Sequence, residues 1–290
     1  MQWDRGHQSN NVDDRRGQAP AGGGGVGAQG IFAIGHIVYR LFGVGGLVVA
    51  AVIGLGLYLC GGFGGMLGGS TGAMPRTGGA AGSASEDEQF QFVSFVLDDV
   101  QRTWQGSVEG YQPTTLVVFR QSTSTGCGYG QSATGPFYCP QDRQVYIDLS
   151  FYDDLAKRFG APGDFAQAYV IAHEVGHHLQ HLMGTDAKAQ GRNSQGANGA
   201  SVRLELQADC YAGVWAHSAN QRGVLEAGDI QEGLTAASAI GDDRLQKQGG
   251  GTVSPETFSH GTSDQRQRWL NTGFKTGNIA ACDTFAAQQL

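Results

Sequence analysis

Two histidines four residues apart, with a glutamate directly after the first, restrict this chain more than any other feature: His173-Glu174-Val175-Gly176-His177. On a helix the two imidazoles stand one turn apart on one face, with Cβ atoms roughly 5–6 Å apart. Their ring nitrogens then reach a single zinc ion at about 2.0–2.1 Å. Glu174 is offset around the helix, so it faces a water polarised by the metal instead of binding the metal itself. A carboxylate placed there takes a proton from the water and returns it to a leaving amine. Three fixed positions in five also arise by chance, so the flanks decide how the motif is read.

Those flanks predict a helix. Phe165, Tyr169, Ala172, Gly176 and Leu179 recur at spacings of three and four, Asp164 is an N-cap candidate, and Gly184 suits the C′ position. Gly176 inside a helix costs about 1 kcal/mol relative to alanine, which points to close approach of another backbone. His177 and His181 form a second pair spaced by four, but no acid follows His177. His178 and His181 are therefore expected at the solvent face or behind the ligands.

A catalytic zinc takes three protein ligands and keeps one position for water. Glu205 is the candidate third ligand, on a stretch where Val202, Leu206, Tyr211, Val214 and Trp215 give a helical apolar pattern. Asp209 shares its face one turn on. One acid would bind the metal and the other would accept the second N–H of a ligand histidine. Glu205 is expected as the ligand and Asp209 behind the histidine, with Ala208 and Ala212 leaving room for helices to approach.

The zinc motif with His178, and the run Glu205-Leu206-Gln207-Ala208-Asp209-Cys210-Tyr211-Ala212-Gly213, resemble the bacterial neutral zinc metallopeptidase family. So do Gly135-Pro136-Phe137-Tyr138-Cys139-Pro140, Tyr146-Ile147-Asp148, Ala239-Ile240-Gly241-Asp242-Asp243 and Ser259-His260-Gly261-Thr262-Ser263. The resemblance covers residues 86–290. It implies an α+β, zincin-like domain of the gluzincin kind, mostly helical with a small sheet, holding one Zn2+ per chain. It also implies a sheet edge that holds substrate main chain, for which residues 145–149 are the candidate. A histidine or arginine acting on the developing oxyanion would be His260 or Arg266. His260 also has a purely structural alternative, since Thr262 and Gln265 have capping-box spacing just after it.

Ahead of that domain the composition changes. Of 48 glycines, 24 fall in residues 1–85. Residues 1–40 are expected to be a disordered cytoplasmic tail with an interfacial segment at 31–39, because its polar, glycine-rich start has little apolar surface to offset chain entropy. Residues 41–60 carry no charge and are long enough to span a bilayer core of about 30 Å as one transmembrane helix. Arg5, Arg15, Arg16 and Arg40 precede that stretch, whereas Arg76 alone follows within twenty residues. The positive-inside rule then places the N-terminus in the cytoplasm and the domain outside a single-pass inner membrane anchor. Residues 61–85 read as a glycine-rich linker.

Residues 86–290 carry 14 Lys plus Arg against 23 Asp plus Glu, which argues against nucleic acid as a partner. Cys127, Cys139, Cys210 and Cys282 lie in this domain, an even number that outside the cytoplasm reads as disulfides. Cys127–Cys139 would close a short Gly/Pro-rich loop, leaving Cys210–Cys282. Residues 115–120 and 144–149 read as strands, and 226–246 as a helix buttressing the site.

The expected function is peptide-bond hydrolysis by a membrane-anchored zinc metallopeptidase acting on peptide or protein substrates. The alternatives are a zinc amide hydrolase acting on cell-wall cross-links and a non-catalytic zinc-dependent binding or assembly module.

Overall fold

The computed structural model describes residues 1–18, 84–189, 194–250 and 252–290. In chain order they form strand β1 (Val12–Asp14), helix α1 (Ala84–Ser107), and strands β2 (Thr115–Phe119), β3 (Ser122–Thr125), β4 (Gly128–Gln131), β5 (Phe137–Cys139) and β6 (Gln144–Asp148). Helices α2 (Ser150–Lys157), α3 (Asp164–Leu182), α4 (Thr185–Ala189), α5 (Ala200–Gln221), α6 (Asp229–Ala239), α7 (Asp242–Gln248) and α8 (Ser263–Thr276) follow. The architecture is α+β and mostly helical, with small sheets.

Apolar periodicity places the helices. On α1, Phe92, Val93, Val96, Leu97, Val100 and Trp104 recur at helical spacing and are all buried. Trp104 meets Tyr211 of α5 edge-on at 5.8 Å, and Phe165 of α3 stacks on Trp215 of α5 at 5.6 Å. Helix α3 begins at Asp164 after Gly163, whose φ of 124° suits only glycine, so Asp164 occupies the first turn and is not the N-cap. It ends as expected, with Gly184 in the left-handed region.

Close helix crossings fix the layers. A Cβ on Gly176 would lie 3.0 Å from Ala208 Cα, so the backbone approach inferred from that glycine is with α5. Helices α5 and α8 come closer still. A Cβ on Gly213 would meet the Leu270 carbonyl at 2.1 Å, and one on Gly273 would meet the Cys210 carbonyl at 1.9 Å.

The larger sheet runs β1-β2-β6-β5, with β1–β2 and β2–β6 parallel and β5–β6 antiparallel. Period-two alternation splits its side chains between two cores. Leu116, Val118, Val145 and Ile147 face the main core, whereas Val117, Phe119, Tyr146 and Cys139 form a second cluster. Hairpin β3–β4 lies over Phe137, which would be 2.6 Å from a Cβ on Gly130, and the Cys127–Cys139 disulfide ties the hairpin to β5. Strand β6 pairs on both sides, so residues 145–149 are not a sheet edge; the edges are β1 and β5. The helix expected over 226–246 is two, α6 and α7, broken at Ile240–Gly241. A Cβ on Gly241 would come 2.4 Å from the Ser263 nitrogen.

Residues 1–18 correct the expected disordered tail. Val12, Asp13 and Asp14 pair in register with Leu116, Val117 and Val118, and Trp3 packs edge-on against Phe92 at 5.4 Å. Asp98 binds His7 at 2.8 Å and accepts from Ser9 Oγ at 2.8 Å. The Met1 ammonium contacts Asp164 at 2.7 Å and Glu226 at 3.0 Å. Polar composition concealed this because a short edge strand pairs through its backbone, with a partner about a hundred residues away. Residues 1–18 and the His173–His177 region belong to one compact unit, so both lie on the same side of any membrane. A cytoplasmic N-terminus joined by a single crossing to an exported domain is incompatible with that pairing. Residues 19–83, including the 41–60 stretch, lie outside the described residues, and among those described no helix is long and apolar enough to cross a membrane.

Cysteines introduced at exposed Gln8 and Lys157 in a Cys60→Ser background should therefore react alike with a membrane-impermeant maleimide in intact protoplasts. Labelling of one position without the other would contradict the shared location.

Candidate metal centre

Helix α3 presents His173 and His177 one turn apart, with ring centroids 4.8 Å apart and ring planes at 89°. Helix α5, seated on Gly176, brings Glu205 to both. Glu205 Oε2 lies 3.2 Å from His173 Nε2, and Oε1 lies 3.5 Å from His177 Nε2. One ligand atom from each of the three falls within 4.8 Å of the others. Glu174 stays outside this cluster, buried at the wall of the same cleft.

The far side of each ring is held. His173 Nδ1 donates to Asp209 Oδ1 at 2.8 Å, which fixes the tautomer and leaves Nε2 toward Glu205. Asp209 in turn accepts from Arg266 Nε at 2.8 Å, Arg266 Nη2 at 2.9 Å and Tyr169 Oη at 2.5 Å. Asp209 and Arg266 are both buried. His177 Nδ1 donates to Gln180 Oε1 at 2.9 Å. Two imidazole nitrogens and a carboxylate turned toward one another match the donor set of a zinc site with an open position. Asp164, Asp229 and Glu232 also converge, but the Met1 ammonium already supplies the cation there.

Charge is distributed to match. Burial disfavours charge on His173, but Asp209 and Glu205 outweigh it and raise the imidazolium well above its ordinary range. Burial likewise opposes ionisation of Glu205 and Asp209. His177 and His173 nevertheless hold Glu205 low, and Arg266 and His173 hold Asp209 low.

A cleft of about 930 Å³ opens over the cluster, walled by Phe137, Tyr138, Phe151, Val170 and Leu245 among others. His260 lines it, with Nδ1 3.0 Å from Asp242 Oδ1. That hydrogen bond raises the His260 pKa against burial, and the negative charge of Glu205 adds to the effect. Asp242 Oδ2 also accepts the backbone N–H groups of Ser259, His260 and Gly261, which shapes the loop. The capping box of Thr262 and Gln265 forms as the spacing predicts. Arg266, the other oxyanion candidate, is committed beneath Asp209.

Neither extra histidine joins the cluster. His181 pairs with Asp186 at 2.7 Å. His178 is buried, which lowers its pKa; Nε2–H donates to the Gln112 carbonyl at 2.7 Å, and Nδ1 accepts from Tyr138 Oη at 3.0 Å. Both expected disulfides form, Cys127–Cys139 and Cys210–Cys282, the latter beginning one residue beyond Asp209. Sequence reasoning missed Gln180 altogether, and the parts that Tyr169 and Asp242 play beside Asp209 and His260. For Gln180 a signal existed, since an amide three residues after His177 lies on the same helix face.

A zinc ion at this cluster would compete with a proton for His173 Nε2. Because the metal-free imidazole is held charged, zinc binding near neutral pH should release a proton, and apparent affinity should rise with pH up to the His173 titration. Calorimetry in buffers of different ionisation enthalpy measures this directly. Equal heats in all buffers would contradict the charge assignment.

A family profile described as "Putative neutral zinc metallopeptidase" matches residues 1–285. The uncharacterized protein YpfJ of Escherichia coli K12 is 47% identical over 294 residues, covering 98% of this chain and 99% of its own. The uncharacterized protein Rv2575 of Mycobacterium tuberculosis H37Rv is 46% identical over 204 residues, covering 67% of this chain and 69% of its own. No solved structure matches. The match begins at residue 1, consistent with an N-terminal segment built into the fold, and this chain belongs to the neutral zinc metallopeptidase family.

Proposed function

We propose that this protein is a zinc-dependent endopeptidase with a zincin-like catalytic domain, one Zn2+ per chain held by His173, His177 and Glu205. The observation that carries this reading is the convergence of both Nε2 atoms on the two oxygens of Glu205, with Glu174 beside them at the cleft wall. A bound zinc supplies a Lewis acid that acidifies water and polarises a substrate carbonyl.

The chain's own groups do the rest. Glu174 accepts the proton of the attacking water and delivers it to the leaving amine. His260, oriented by Asp242 and biased toward its cationic form, faces the cleft where negative charge develops on the carbonyl oxygen. Asp209 holds His173 in the Nδ1–H tautomer. The sheet edge open to a substrate main chain is β5, whose Phe137 and Tyr138 line the cleft, so the substrate is an extended peptide. Two disulfides suit an oxidising compartment outside the cytoplasm. Residues 1–18 would share that compartment, with membrane attachment through the apolar stretch within 31–60.

The full-length protein should cleave an unfolded protein such as casein. Glu174→Gln should retain zinc and lose activity by about 10²–10⁴-fold. Undiminished proteolysis by that variant would remove Glu174 from its role. Release from peptidoglycan but not casein would transfer the site to cell-wall amides.

A further inference from the structure

Both histidines of the candidate centre are held through Nδ1, but by partners of different chemistry. Asp209 is a carboxylate whose acceptor role toward His173 needs no orientation. Gln180 is an amide, which turns the same lone pair into a donor if its end group flips. His177 therefore depends on what fixes the direction of Gln180.

Two buried contacts fix it. Gln180 Nε2 donates to the Leu204 carbonyl at 2.7 Å and to Gln207 Oε1 at 3.1 Å. Gln207 is an amide with the same ambiguity, and its Nε2 donates to the Cys282 carbonyl at 3.0 Å. Gln180, Gln207 and Cys282 are all buried, so a flipped amide would set acceptor against acceptor at the Leu204 or Cys282 carbonyl with no water to relieve it. Direction is thus set by two backbone carbonyls that can only accept, Leu204 directly on Gln180 and Cys282 through Gln207, and is passed to an imidazole nitrogen that must donate. Cys282 is fastened to α5 by its disulfide to Cys210, three residues from Gln207.

We propose that Gln180 and Gln207 are positioning residues that hold His177 in its Nδ1–H tautomer, with the Nε2 lone pair toward Glu205, and that the Leu204 and Cys282 carbonyls together set the direction of this relay. The proposal rests on His177 being a metal ligand, but the contact of its Nδ1 with Gln180 Oε1 is present without metal. Neither amide is hydrogen-bonded to His173, Glu174 or Glu205, so the side chain of the cluster that they reach is His177.

Long-range ¹H–¹⁵N spectra of metal-free wild-type protein at alkaline pH should show the His177 proton on Nδ1. Finding it on Nε2 overturns the proposal whether or not zinc binds, and so separates its failure from failure of the peptidase assignment. Gln207→Leu removes the link between Gln180 and Cys282. It should move part of the His177 population to the Nε2–H form and weaken zinc binding, measured by chelator competition, by about 10–100-fold. Gln207→Glu keeps an acceptor toward Gln180 and should recover affinity relative to Gln207→Leu. Thr103→Val, a buried polar substitution elsewhere, should leave zinc affinity unchanged. A folded Gln207→Leu with wild-type tautomer and affinity would overturn the relay; if that variant does not fold, the wild-type spectrum decides.

Discussion

The buried pairing of Arg266 with Asp209 is the interaction around which the centre is assembled. It joins α8 to α5, and Asp209 passes the connection to His173 on α3. Taking both charges out of water is expensive, and the cost is offset only while every lone pair and N–H is matched. Here Asp209 accepts from Arg266 twice, from Tyr169 and from His173. Deleting one partner of such a pair typically costs about 3–5 kcal/mol. The three helices must therefore stay in a fixed relation, and that relation is what brings Glu205 to the two imidazoles.

Backbone contact makes this geometry possible. Gly176 admits Ala208, and Gly213 and Gly273 let α5 and α8 approach to a distance no side chain would allow. The Cys210–Cys282 disulfide and the Gln207 hydrogen bonds tie the middle of α5 to Cys282 on one side and to Gln180 of α3 on the other. The cleft side differs in kind: there the half-exposed His260 and the aromatic wall of β5 face space that a substrate can occupy.

Local features were the legible ones. Helix α3, its terminating Gly184, the capping box before α8, strands β2 and β6 and the order of Glu205 and Asp209 on one helix face follow from spacing and turn chemistry within a few residues. The Cys210–Cys282 pair followed only from what the short Cys127–Cys139 loop left over. What escaped the sequence was set by partners far along the chain. Strand β1 is three residues of ordinary polarity whose parallel partner begins at Thr115. The break between α6 and α7 answers to Ser263, and the fate of Arg266 is decided by Asp209, 57 residues earlier. A guanidinium near a candidate active site is read as a substrate-facing donor by default; burial, which the linear pattern does not encode, assigns it to the scaffold.

The central claim is that Glu205 completes a zinc site with His173 and His177. Zinc content after exhaustive dialysis, compared between wild-type protein and Glu205→Gln, tests it most directly, because the substitution preserves shape while removing the ligand charge. The account predicts one tightly held zinc per wild-type chain and its loss from the variant. Zinc retained by Glu205→Gln at wild-type stoichiometry and affinity would contradict it.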